Sequence, residues 1–303
     1  MKTRLLYWIV LASLALQSCE LVADVSPFSQ QKKRTPLVNL MTNQTVQWYD
    51  VKFNQSYGEN RFQNYDVYVP HVDSLDPEKK SVSVVLVHGG GWSLLDKSFL
   101  AEAAQHFANQ KLNITIFNIN HRLAGIDSVT FDDMMMDFDL FFDHHDSLKN
   151  VLNLSDEIVL WGYSSGGHLA LSYTYKYDKR NIRAVTAIAA PTDLTDETIN
   201  QGIKDDKNRN LTELLIGQPY EENPDAYRRA SPYFAVDRQC STTLLFYGGN
   251  DNLIKPEQGE KLESLLTKKR VQSEFYLLPD ANHDMHGKMG EIVSETIDFM
   301  KNL

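Results

Sequence analysis

Apolar residues along this chain fall into short blocks of two alternating kinds. Runs that are apolar almost throughout, at 82–87, 114–119, 157–161, 183–189, 243–247 and 273–278, read as strands buried on both faces. Between them lie longer stretches with apolar positions three and four apart, near 97–110, 131–150, 165–178, 256–268 and 288–301, which read as amphipathic helices. Ahead of these, 46–53 and 62–69 alternate apolar with polar residues, as a pair of half-buried strands does. Strand then helix, repeated in this way, predicts an α/β fold with a mostly parallel central sheet and helices on both faces. Ligands then bind outside the carboxyl ends of the strands. No internal repeat interrupts the pattern. The stripe formed by Phe131, Met134, Met135, Met136, Phe138, Phe141 and Phe142 has helical spacing and is expected to be core.

The pattern breaks in two places. Residues 191–241, after the sixth strand, are rich in charge and loop formers, with short helices expected near Asn210–Leu215 and Pro224–Arg229. They read as an insertion placed like a lid over the site. At the N-terminus Lys2 and Arg4 precede an apolar core, Leu5 to Leu16, too short to span a bilayer, followed by Leu16-Gln17-Ser18-Cys19. Residues 1–18 are therefore a signal peptide. Its end resembles a bacterial lipobox, which implies acylation of Cys19 and attachment to a membrane of the cell envelope; the alternative is a plain leader and a secreted or periplasmic protein. Residues 19–45, polar and with two prolines, read as the lipidated N-terminus and tether, leaving 46–303 as the folded α/β domain.

The chemistry is carried by motifs at strand ends. Gly162-Tyr163-Ser164-Ser165-Gly166 follows the apolar run Glu157–Trp161 and opens a helix, so Ser164 sits at the apex of a sharp strand-to-helix turn. His88-Gly89-Gly90-Gly91-Trp92 directly follows the strand at 82–87, and a glycine-rich backbone there can aim N–H groups at a developing oxyanion. Together the two motifs resemble the α/β-hydrolase superfamily, in the esterase branch whose loop reads HGGG, as in hormone-sensitive-lipase-like, feruloyl-esterase-like and arylformamidase groups. Leu244–Asp251 looks like that family's acid-bearing strand end and Phe275–His283 like its histidine loop.

What the resemblance implies is a serine esterase. Ser164 would be the nucleophile, His283 the base, Asp251 the acid, and the N–H groups of Gly90, Gly91 and Ser165 the oxyanion hole, with Trp92 and Tyr163 lining the substrate pocket. Asp193 and His286 are rivals for the acid and the base. An arylformamidase-like or peptidase-like hydrolase, or a catalytically silent binding lipoprotein, are the alternatives.

Composition narrows this further. With 303 residues and 42% hydrophobic content the chain can fill one large core. The formal charge of −10 becomes −12 when Lys2 and Arg4 leave with an acid-free leader, and so acidic a surface repels phosphate backbones, which argues against nucleic acid as a partner. The expected partners are a small-molecule ester and, through the anchor, a membrane. With Cys19 acylated, Cys240 has no partner and reads as a small buried apolar residue. The histidine and acid spacings match no zinc motif and no phosphate-binding glycine loop appears, so no metal or cofactor is expected.

Overall fold

The computed structural model describes residues 48–71, 79–178, 180 and 182–302. The leader, Cys19 and the tether to residue 45 lie outside the described residues. The strands are β1 (Tyr49–Ser56), β2 (Asn64–Pro70), β3 (Ser81–Val87), β4 (Ile114–Ile119), β5 (Leu154–Tyr163), β6 (Ala184–Ile188), β7 (Thr242–Gly248) and β8 (Ser273–Leu278). They form one sheet in the order β1-β2-β4-β3-β5-β6-β7-β8. β2 runs antiparallel to β1 and β4, and β4 through β8 with β3 are parallel.

Helices cover both faces, which is why the central strands read as unbroken apolar runs. Val84 and Leu86 of β3 face one layer, packed with Phe107 of α1 (Ala101–Asn109) and with Ile292 and Val293 of α8 (Met289–Lys301). Val85 and Val87 face the other layer, with Phe138 and Phe141 of α2 (Phe131–Leu148) and Leu262 of α7 (Glu257–Lys269). α2 starts where Asp133 folds back to accept the Thr130 N–H at 2.9 Å, a carboxylate in the first turn where the helix dipole favours it.

Several elements differ from expectation. The helix expected over 165–178 is α3 (Ser165–Ser172), continued by a π turn at Tyr173–Tyr177. The one expected over 97–110 opens with a 3₁₀ turn, Lys97–Leu100. Met136 leaves the expected apolar stripe and is half exposed, because three consecutive methionines cannot all lie on one helix face. Cys240 is half-buried, its Sγ accepting the Asp237 N–H at 3.3 Å. The insertion holds α5 (Leu211–Ile216) and α6 (Pro224–Ala230), and also α4 (Glu197–Asn200), capped by the Asp196 side chain. At four residues α4 has no period to read. Among the described residues no helix is long and apolar enough to cross a membrane.

Candidate active site

Ser164 stands between the end of β5 and the start of α3 with φ 53° and ψ −121°, a conformation that costs a non-glycine residue energy and persists only where its surroundings fix it. They do so by backbone bonds on both sides: Ser164 N–H donates to Ile188 O at 2.7 Å, and His168 N–H donates to Ser164 O at 3.0 Å. The flanking glycines permit the turn by close approach, since a Cβ on Gly162 would collide with Gly166 O and one on Gly166 with the carbonyls of Val87 and His88.

The Ser164 hydroxyl lies 2.9 Å from His283 Nε2, and His283 Nδ1 lies 2.8 Å from Asp251 Oδ2. A carboxylate only accepts, so Nδ1 carries the proton and Nε2 is free to receive one from Ser164. Asp251 is 4% exposed. Its other oxygen accepts the N–H groups of Leu253 and Ile254, each at 2.8 Å, which hold the carboxylate on its loop after β7. His283 is held from behind: the Tyr163 hydroxyl donates to its backbone carbonyl. Burial pushes the Tyr163 hydroxyl pKa far up, so it remains a donor.

The glycine loop lies beside the serine. A Cβ on Gly89 would stand 3.1 Å from Ser164 Cβ and 2.9 Å from Tyr163 O. Gly90 and Gly91 have φ 111° and 57°, which turns the chain past the serine in a way that L side chains rarely allow. Ser165 opens α3 directly after Ser164, so its N–H has no intrahelical acceptor. His88 is fully buried and donates from Nδ1 to Gly89 O at 2.7 Å, with its ring stacked on His121 at 4.5 Å. Burial first, and the neighbouring imidazole second, hold the His88 pKa well below the usual range, so no charge forms behind the loop.

Of the other residues singled out by sequence, Tyr163 lies at the site, and Asp193, His286 and Trp92 do not face Ser164. Asp193 accepts the Thr195 N–H at 2.9 Å and its hydroxyl at 2.6 Å, closing a local turn at the start of the insertion. His286 is exposed. Trp92 is 1% exposed and turned inward, its indole N–H donating to His168 Nδ1 at 3.1 Å, so it braces the loop from behind. Tyr163 packs between Phe99 and His283, with ring centroids 5.1 and 5.8 Å away. Phe99, Leu94 and Leu95 are exposed apolar residues on the segment after the glycine loop, a rim that hydrophobic periodicity does not reveal. Leu211 of the insertion was also not legible; its side chain reaches Gly91 so closely that a Cβ there would strike it. Among the described residues no group of histidines, cysteines and acids could hold a metal ion.

The eight-stranded sheet, its strand order and a serine turn at the end of β5 define the α/β-hydrolase fold. Solved structures with this fold include a carbohydrate esterase from gut microbiota in truncated form, at TM-score 0.71 and 18% identity over 84% of this chain and 96% of that one. Esterase B from Lactobacillus rhamnosis (HN001) superposes at TM-score 0.70 with 14% identity, over 98% of this chain and 93% of its own. The carboxylesterase Cest-2923 from Lactobacillus plantarum WCFS1 does so at 0.65 with 13% identity, over 84% and 97%. No curated protein matches the chain by sequence. The BD-FAE family model matches residues 65–266, and the chain belongs to that family of α/β-hydrolase-like esterases. It is a carboxylic ester hydrolase.

Proposed function

We propose that the protein cleaves carboxylic esters through a covalent acyl group on Ser164, with esters carried by carbohydrate as its substrates. The observation that carries the mechanism is the unbroken chain from Ser164 Oγ through the His283 ring to Asp251, with gaps of 2.9 and 2.8 Å. A serine hydroxyl attacks poorly at neutral pH unless a base removes its proton in the same step. His283 Nε2 takes that proton as Oγ bonds to the ester carbon, and Asp251 holds the useful tautomer and steadies the imidazolium. The carbonyl oxygen, now negative, receives the N–H groups of Ser165, Gly90 and Gly91. Collapse breaks the bond to the alcohol, which leaves with the proton from His283. Water, deprotonated by the same ring, then releases the acid and restores Ser164.

Two features support a carbohydrate-borne ester. One is the likeness in fold to a carbohydrate esterase. The other is the leader with Cys19, which supports an envelope protein that meets esters outside the cell. Ser164→Ala is expected to lower hydrolysis of a short-chain nitrophenyl ester by about 10⁴–10⁶ with an unchanged circular dichroism spectrum. Activity within tenfold of wild type removes Ser164 as the nucleophile. A panel of acetylated and feruloylated oligosaccharides against simple alkyl esters tests the substrate class, and equal kcat/KM on both sets refutes it. For the anchor, Cys19→Ala is expected to release the protein from the membrane fraction or leave it unprocessed. A wild-type protein that is already soluble and begins at another residue overturns acylation.

A further inference from the structure

Three segments of the chain meet at one buried imidazole. His168 lies in the first turn of α3, bonded through its N–H to Ser164 O at 3.0 Å, with its side chain wholly buried. Its Nδ1 is 3.1 Å from Trp92 Nε1, and its Nε2 is 2.8 Å from Ala230 O at the end of α6. An indole N–H only donates and a carbonyl only accepts. Nδ1 must therefore carry the lone pair and Nε2 the proton, so the ring is held in a single neutral tautomer with both nitrogens used. Burial lowers its pKa to about 4, which keeps Nδ1 an acceptor at neutral pH.

What this ring holds is the glycine loop. Gly90, Gly91 and Trp92 have φ of 111°, 57° and 62° in succession. Two glycines adopt such angles freely, but a tryptophan does so only where its surroundings over-determine it. Trp92 is packed in the core, and its polar contacts within that packing are specific. Its carbonyl accepts the Ala124 N–H at 2.9 Å, its indole N–H is taken by His168, and its ring meets the imidazole edge-on at 5.4 Å. The strands that carry the loop and the serine, β3 and β5, pair as far as Val87 and Gly162, and Gly89 packs against the serine turn. The far end of the loop, at Trp92, lies beyond that register and is held to α3 by side chains, at the tolerance acyl transfer needs, where a misplacement of about 1 Å can cost about 10²-fold.

We infer that His168 is a positioning residue for the oxyanion hole: through Trp92 it locks the glycine loop to the helix that carries Ser164, and through Ala230 it fastens both to the end of the insertion. The inference rests on the role proposed above for Ser164. Its signature is a loss of turnover without loss of substrate affinity, because an oxyanion donor acts on the tetrahedral state and hardly at all on the bound ester.

Substitutions separate the two bonds of the ring. Trp92→Phe keeps an aromatic ring but removes the donor. His168→Gln reaches toward Ala230 O but sets no acceptor at the Nδ1 position, whereas His168→Asn sets its Oδ1 near that position and gives up Ala230. Measured with a nitrophenyl ester, Trp92→Phe and His168→Gln are each expected to lower kcat by roughly 10- to 100-fold with KM within about threefold. The double variant Trp92→Phe/His168→Gln is expected to be no worse than the poorer single one, since both break the same bond. His168→Asn is expected to stay within about fivefold of wild type. Normal kcat with only a lower Tm in His168→Gln, a rise in KM instead of a fall in kcat, or additive losses in the double variant would each overturn the inference. Ser164→Ala run alongside keeps the two ideas apart. If that variant is active, the role of Ser164 has failed, whatever the His168 variants do.

Discussion

At the scale of single residues, two aspartates after neighbouring strands illustrate how environment separates equal chemistry. Asp251 gives one oxygen to His283 and the other to two backbone N–H groups, while Asp193 spends its oxygen on Thr195. Asp251→Asn keeps the shape and an oxygen for Leu253 and Ile254, but its amide favours the wrong imidazole tautomer. A fall in kcat of roughly 10⁴ with little change in Tm is expected. Asp193→Asn is expected to keep kcat within a fewfold, its cost appearing as a modest loss of Tm. Steady-state kinetics and thermal melts on the pair check both; near-normal rates for Asp251→Asn with an inactive Asp193→Asn would move the acid one strand earlier. The fate of Trp92 shows where residue-level reading stops. Its place in the chain, directly after the glycines, suits a pocket wall, but its positive φ, its core packing and a partner 76 residues away turn it inward.

At the scale of elements, the insertion approaches the glycine loop where Leu211 of α5 stands over Gly91, near enough that a Cβ there would strike it. Gly91→Ala puts a Cβ into that contact and an alanine at φ 57°, so the loop must shift. A fall in kcat of about 10²–10³, the loss typical of one oxyanion donor, is expected. Gly91→Ala/Leu211→Ala removes the collision but not the backbone strain, and is expected to regain about tenfold of that loss; no recovery would mean that α5 does not press on the loop. The elements that the sequence made legible are the ones with a repeat to read. The strands β3 to β7 appeared as apolar runs because both faces are buried, and α2, α7 and α8 as periodic stretches because one face is; β8, read in the same way, is an edge strand with only Leu278 buried. The π turn at Tyr173–Tyr177 carries no break in hydrophobic spacing and stayed hidden inside an apparent helix. In the insertion, α5 and α6 were visible through Asn210 and through Asn223-Pro224, residues that start helices, whereas α4 is one turn long. The site itself was legible wherever glycines forced a turn, at Gly162–Gly166 and Gly89–Gly91, and illegible where tertiary contact alone brings a side chain in, as with Leu211 and Phe99.

At the scale of the whole molecule, the core holds its histidines uncharged. Burial lowers the pKa of both His145 and His168 to about 4 from an ordinary 6.5, and lowers those of His88 and His121 as well. In the unfolded chain these rings take up protons near pH 6.5; in the folded one His145 and His168 do so only near pH 4, and His88 and His121 below the ordinary range. Between those limits the unfolded state binds more protons, so stability is lost as the pH falls through that window, at about 1.4 kcal/mol per pH unit for each such histidine. Urea midpoints at pH 7, 5.5 and 4.5 are expected to fall steadily, and His145→Gln to lessen the slope; a flat profile would contradict this. The insertion has one more property, which follows from where it lies in the order of the chain. Ser164 and the glycine loop precede it, and Asp251 and His283 follow it. Its loop at Asp206, Lys207 and Asn208 is exposed, while β6 and β7 on either side remain in register. On the proposed mechanism, a protease nick at that loop would divide the site into two chemically inert pieces, one with Ser164 and one with His283, still joined through the paired strands. Expressed as separate fragments, the two halves would report their own reassembly by the return of ester cleavage.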